Sequence, residues 1–113
     1  MTNQTITIIP GDGIGPSIIE ATVKVLDKAG CNFNYEYADA GLTALENHGD
    51  LVPQETLDLI EKNKVTLKGP LTTPVGEGFT SINVTLRKQF NLYANLRPVL
   101  SFKGTKARYE NID

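Results

Sequence analysis

The chain has 113 residues, of which 40% are hydrophobic and 21% charged, with one cysteine and a formal net charge of −2. That length supports one modest core and one domain. The lone Cys31 excludes an internal disulfide framework and a cysteine-rich zinc site, and no apolar run is long enough to cross a bilayer. The near-neutral total hides two opposed halves. Residues 1–63 carry ten acids against three bases. Residues 64–108 carry eight bases against one acid, Glu77, a net charge of +7. Such a split points to a localised anion site in the second half.

Thr5 to Ile9 is a β-branched run ended by Pro10 and Gly11, and it reads as a buried strand. From Ile14 onward, Ile14, Ile18, Ala21, Val25 and Ala29 recur at intervals of four and three. That predicts a helix with those residues inward and Gly30 at its end. Phe33, Tyr35 and Tyr37 alternate with polar residues, the period of a half-buried strand. Leu42 to Asn47 reads as a short helix stopped by Gly49, with His48 an ordinary residue at its end. Pro53 to Asn63 reads as another, with Leu57 and Ile60 inward. Lys64 to Lys68 reads as a strand, and Gly69 to Phe79, rich in glycine and proline, as a loop. Ser81 to Phe90 reads as a helix, and Leu92 to Phe102 as mostly extended. Strands alternating with helices predict an α/β domain. No repeat, low-complexity segment or linker divides it. The end, Tyr109-Glu110-Asn111-Ile112-Asp113, reads as the approach to a further strand. The start has neither a basic n-region nor a small-residue cleavage site, so no secretory signal is expected.

Three motifs bear on chemistry. Pro10-Gly11-Asp12-Gly13-Ile14-Gly15-Pro16 follows a strand and opens a helix, the setting of a dinucleotide fingerprint, and Asp39 falls near the place of a ribose-binding acid. Pro16 stands where that fingerprint needs its third glycine. The motif therefore reads better as a tight turn with Pro16 in the first helical turn. The second is Lys68-Gly69-Pro70-Leu71-Thr72-Thr73-Pro74-Val75-Gly76, a strand end handing over to a hydroxyl-bearing loop. Open α/β sheets bind ligands at such ends; the plain alternative is a surface loop. In the third, Ser81-Ile82-Asn83-Val84-Thr85-Leu86-Arg87, Asn83 and Arg87 share a helix face. Ser81 stands in the first turn, where unpaired N–H groups favour a carboxylate. The plain alternative makes Ser81 only an N-cap and Arg87 only a solvated charge. Arg97, flanked by Leu96 and Pro98-Val99, is expected in a strand and away from free solvent. Two guanidinium groups suit a di- or tricarboxylate.

The stretches IIPGDGIGP, YADAGLTAL, LKGPLTTPVGEG, SINVTLRK and LYANLRPV, the last followed by FKGT, cover essentially the whole chain. On them the chain resembles the β-decarboxylating dehydrogenases, the isocitrate/isopropylmalate dehydrogenase family, and within it isocitrate dehydrogenases. The resemblance implies that residues 1–113 form the N-terminal part of the large α/β domain of that fold, incomplete. It implies that Ser81, Asn83, Arg87 and Arg97 bind the isocitrate carboxylates, that Lys68 approaches the substrate, and that Thr72 and Thr73 lie at the cofactor. Ser81 and Asn83 point to isocitrate over 3-isopropylmalate. The implied cofactors are NAD or NADP with Mg²⁺ or Mn²⁺. Similarity of SFKGTKARYENID to NAD-using members favours NAD. The family's catalytic tyrosine and lysine and its metal-binding aspartates would lie beyond Asp113, so no catalytic or metal residue is expected in this chain. The 113 residues alone are expected to be inactive and prone to aggregate. The implied whole is a homodimer or higher oligomer with no nucleic-acid or membrane partner. It would be cytoplasmic, or in the mitochondrial matrix for a processed eukaryotic chain. Alternatives are a non-catalytic regulatory subunit, a homoisocitrate or 3-isopropylmalate enzyme, and a plain nucleotide-binding module.

Overall fold

Strand β1 (Thr5–Ile9) is the axis of the molecule, and Ile6 to Ile9 are all buried. The computed structural model describes residues 3–76, 78–106, 108–109 and 111–112. The acid Glu77 and the expected strand approach at Glu110 and Asp113 thus lie outside the described residues. Parallel strands flank β1 on both sides: β2 (Asn34–Tyr37) and β3 (Thr66–Lys68), in the order β2-β1-β3. Ile8 stands opposite Tyr37 on one neighbour and Leu67 on the other. A central parallel strand covered on both faces reads as a continuous apolar run, and this one does.

Ile6 and Ile8 face helix α1 (Gly15–Lys28), where they meet Ile19 and, around it, Val23, Phe33, Tyr35 and Leu67. Phe33 and Tyr35 pack edge to face with centroids 6.4 Å apart. The expected inward face of α1 is the wrong one. Ile14, Ile18 and Val25 are exposed, and the helix buries Gly15 and Ile19 instead. Both stripes are apolar, so periodicity alone cannot choose between them. Gly15 chooses: a Cβ there would stand 2.2 Å from the Pro10 carbonyl oxygen, so the helix must turn Gly15 to the sheet, and Ile19 and Val23 follow at four-residue steps.

The other face of β1 meets helix α3 (Gln54–Asn63) through polar groups. Thr7 Oγ1 donates to the Leu59 carbonyl at 3.1 Å and accepts from Asn63 Nδ2 at 3.0 Å. Asn63 Nδ2 also donates to Glu36 Oε2 at 2.7 Å, and Lys62 Nζ closes on Glu36 Oε1 at 2.8 Å. Thr56 and Asn63 are the buried residues of α3, while the expected Leu57 and Ile60 are half-buried beside them. Helix α2 (Leu42–His48) ends as expected. Gly49 takes the left-handed conformation, φ 77°, and its N–H donates to the Leu45 carbonyl. His48 Nε2 lies 3.1 Å from Asp39 Oδ2, which ties up the acid that a ribose site would need.

Residues 92–102 depart from expectation. They contain no strand, and Tyr93, Leu96, Val99, Leu100 and Phe102 are exposed. Their ends are tied down: Leu92 N donates to the Arg87 carbonyl at 3.0 Å, Ser101 N to the Ile112 carbonyl at 2.9 Å, and Ile112 N to Ser101 Oγ at 2.7 Å. The accessible surface is 8681 Å², where a folded chain of this mass would expose about 6,100 Å². The radius of gyration is 16.7 Å against about 13 Å for a closed domain of this length.

Candidate functional site

The strand order places the site. The chain passes from β1 to β2 on one side and then crosses back to β3 on the other. The turn of direction falls between the carboxyl ends of β1 and β3, where open α/β sheets leave a crevice for ligands. The order β2-β1-β3 also differs from that of a dinucleotide-binding half, in agreement with the broken glycine pattern at Pro16. The loops leaving β1 and β3 meet at this point with no room to spare. Asp12 N donates to the Pro70 carbonyl at 2.8 Å, and a Cβ on Gly11 would lie 2.1 Å from that same oxygen. The motif at residues 10–16 therefore serves loop-to-loop packing, an extension of the tight-turn reading.

Asp12 is the residue that sequence reasoning missed. It is only 8% exposed, and its carboxylate accepts from Leu42 N, Thr43 N, Thr43 Oγ1 and Thr72 N at 3.1, 2.9, 2.9 and 2.7 Å. Burial pushes its carboxyl up, but the bonds from Thr72, Thr43 and Leu42 outweigh it and hold the group below the usual carboxylate range. Nothing in the sequence marks this acid beyond its place between two glycines at a strand end.

Helix α4 (Ile82–Gln89) follows the loop. It buries Ile82 and Leu86, four apart, and stops where Asn91 takes φ 50°. Ser81 is its N-cap residue by position, with φ −51° and ψ 126°, but its hydroxyl makes no capping bond. The capping is done by Thr73, whose Oγ1 accepts from Ile82 N at 3.3 Å. Ser81 is thus left exposed at the positive end of the helix, and its hydroxyl has no hydrogen-bond partner among the described residues.

Three of the expected site residues come together. Lys68, Asn83 and Arg87 line one cavity of about 700 Å³ between β3 and α4, with Lys64, Thr66 and Glu61 also on its wall. Lys68 Nζ donates to the Gly69 carbonyl at 2.9 Å. Burial first, and then the charge of Arg87, push the Lys68 ammonium below the usual lysine range. Among the described residues the ion pairs are Lys24–Glu20, His48–Asp39 and Lys62–Glu36, so neither Lys68 nor Arg87 has a carboxylate partner. Thr66 also lines that wall, and its hydroxyl is buried and has no hydrogen-bond partner among the described residues.

The other expected residues lie apart. Ser81, Thr72 and Thr73 are outside the lining of that cavity. Thr72 is exposed beyond an amide held by Asp12, and the Thr73 oxygen is engaged by α4. Arg97 is neither in a strand nor shielded. It is exposed, and its Nε reaches Asn95 Oδ1 at 3.4 Å. The expectation of a buried Arg97 fails because residues 92–102 have no strand to pair with. Among the described residues no group of three or more His, Cys, Asp or Glu side chains forms a metal-ligand set, so they do not by themselves make a metal site.

Residues 5–112 match the model of the family described as isocitrate/isopropylmalate dehydrogenase. The chain is 52% identical over 107 residues to the NADP isocitrate dehydrogenase of Thermus thermophilus, which covers 94% of this chain and 22% of that protein. It is 45% identical over 112 residues to catalytic subunit 5 of the mitochondrial NAD isocitrate dehydrogenase of Arabidopsis thaliana, covering 99% of this chain and 30% of the relative. The solved isocitrate dehydrogenase of Methylococcus capsulatus superposes with a TM-score of 0.88 at 50% identity, over 96% of this chain and 32% of that one. The chain therefore spans between about a fifth and a third of the length of these proteins. Over that span the fold agrees, and the chain belongs to the isocitrate/isopropylmalate dehydrogenase family.

Proposed function

We propose that this chain supplies part of the substrate site of an isocitrate dehydrogenase. Lys68, Asn83 and Arg87 would receive carboxylates of isocitrate, and Ser81 would donate to one from the start of α4. The observation that carries the reading is the pair Lys68 and Arg87. Among the described residues these two cations on one cavity wall have no carboxylate partner, and burial together with the Arg87 charge makes the Lys68 charge costly. A bound polyanion relieves that cost, and the planar Arg87 fork can take a carboxylate in two bonds. Arg97, exposed and outside this wall as Ser81 is, would add a second guanidinium to the same carboxylates.

The whole protein would oxidise the C2 hydroxyl of isocitrate by hydride transfer to a nicotinamide cofactor, NAD or NADP, and release the β-carboxylate as CO₂ to leave 2-oxoglutarate. The residues of this chain would bind and orient. Thr72, an exposed residue of the loop after β3, would lie at the cofactor, with Thr73 beside it. The test is a chimera in which this chain replaces the matching segment of the Methylococcus capsulatus enzyme. It should turn over isocitrate. Arg87→Gln and Lys68→Met should each lower kcat/KM by about ten- to a hundredfold, the loss of one charge-assisted bond. An active chimera indifferent to both changes would refute the assignment.

A further inference from the structure

The geometry points to Asp12 as a positioning residue, whose carboxylate clamps the first turn of α2 to the Thr72–Thr73 loop and, through Thr73, sets the Ser81 end of α4. This rests on the proposed substrate site, since it is that site's two flanks that Asp12 would hold together. Asp12 accepts at both oxygens: Oδ1 from Thr43 N and Thr43 Oγ1, Oδ2 from Leu42 N and Thr72 N. The partners lie 30, 31 and 60 residues along the chain, so one side chain joins three separate segments. Its four acceptor directions are filled by four donors, with none left for water.

The loop has little else to hold it. Among the described residues, positions 71–80 make no backbone-to-backbone hydrogen bond. Its ties are Thr72 N to Asp12 and Thr73 Oγ1 to Ile82 N. The two are adjacent in sequence, so a shift of the Thr72 amide moves the acceptor that caps α4. The wall around Asp12 is built to the same shape. A Cβ on Gly41 would lie 2.1 Å from Asp12 Oδ2, and Asp12 N is itself fixed on Pro70. An ionised group suits this place, because two of its donors are first-turn N–H groups of α2 at the positive end of the helix.

The test compares the Methylococcus chimera with its Asp12→Asn variant, which keeps the size but turns one acceptor into a donor facing N–H groups. Amide hydrogen exchange should quicken about tenfold or more at Thr72, Leu42 and Thr43, and measurably at Ile82, with β1 and α3 unchanged. In the Methylococcus chimera the same change should raise KM for isocitrate about tenfold, with a smaller change in kcat. Combined with Thr73→Val it should add less than the sum of the two, since both cut one linkage. If Asp12→Asn fails to fold, Thr43→Val, which removes one of the four donors, should still quicken exchange at Thr72. Unchanged exchange at Thr72 and Ile82 in whichever variant folds would overturn the proposal. The substrate site stands or falls separately, on Lys68 and Arg87: indifference of the chimera to their replacement condemns that site while exchange at Thr72 still reports on Asp12.

Discussion

Ser81 and Thr73 make opposite predictions from those a sequence alone would give. By position Ser81 is the cap of α4, and replacing a capping serine by alanine commonly costs about 1 kcal/mol. Here its hydroxyl caps nothing, so Ser81→Ala should cost less than about 0.3 kcal/mol, the level of a neutral surface change. Thr73→Val keeps the shape but removes the oxygen that accepts from Ile82 N at 3.3 Å. Ile82 is 2% exposed, so its amide would be left unpaired in a dry place. The penalty for such a group is about 1–3 kcal/mol, and the length of this bond argues for the lower end, about 1 kcal/mol. With a urea dependence near 1 kcal/mol per molar, Thr73→Val should lower the unfolding midpoint by about 1 M and Ser81→Ala by under 0.3 M. Urea titrations followed by far-UV circular dichroism decide the matter. A Ser81→Ala shift equal to or larger than that of Thr73→Val would mean that Ser81 is the working cap, and the case for its free hydroxyl at the substrate would fall with it. If that case holds, Ser81→Asp should fold as well as the parent chain yet, in the chimera, weaken isocitrate by two or more orders of magnitude, because it sets a fixed anion against a bound one. That repulsion is on the order of 4 kcal/mol at 4 Å and an effective dielectric near 20.

Gly41→Ala should cost at least about 2 kcal/mol, since φ 86° with ψ −153° is open to glycine alone and the new methyl would press on the Asp12 carboxylate; thermal unfolding checks it, and a loss under 0.5 kcal/mol would show that the clamp yields. Lys64→Gly should stabilise by about 0.5–1 kcal/mol, because Lys64 closes α3 in the left-handed region at φ 65°; a lower urea midpoint would contradict this. Asp12 and Glu36 are both held below their ordinary values, Asp12 by bonds that outweigh its burial and Glu36 chiefly by the Lys62 and Asn63 bonds. Their folded values lie below the unfolded ones, so their contribution is whole above about pH 4.5 and is lost as the pH falls through the folded values. Urea midpoints between pH 2 and 7 should therefore drop below about pH 4.5, less steeply in Asp12→Asn; a flat profile would refute the linkage.

The central strand, the helix ends and the loop after β3 were legible because each rests on local chemistry. Ile6 to Ile9 cannot be exposed as a run, Gly49 allows a left-handed cap, and prolines and glycines leave no helix at 69–79. The Lys68, Asn83 and Arg87 grouping was legible from charge and from the four-residue step between Asn83 and Arg87. The inward face of α1 was not, because the helix carries two apolar stripes and its rotation is set where Gly15 packs on Pro10 and on Pro70, the latter from a distant segment. Asp12 was hidden for the same reason, since its partners come from residues 42, 43 and 72. The expectation for Arg97 assumed a neighbouring strand, and local sequence cannot say whether one is there.

The polar seam between β1 and α3 bears on how the chain finds its alignment. Side chains in a strand alternate, so sliding β1 by one residue would turn Thr7 toward Ile19 and bring an isoleucine against Asn63. The slipped sheet would bury nearly the same apolar area, because β1 is isoleucine on both sides of Thr7. The difference lies in the hydrogen bonds. Thr7 would lose the Leu59 carbonyl and Asn63, and Asn63 would keep only Glu36. Two buried polar groups left wanting cost several kcal/mol, on the order of the whole stability of a small domain. A strand that oil alone would hold in either of two registers is thus committed to one by a single hydroxyl and a single amide.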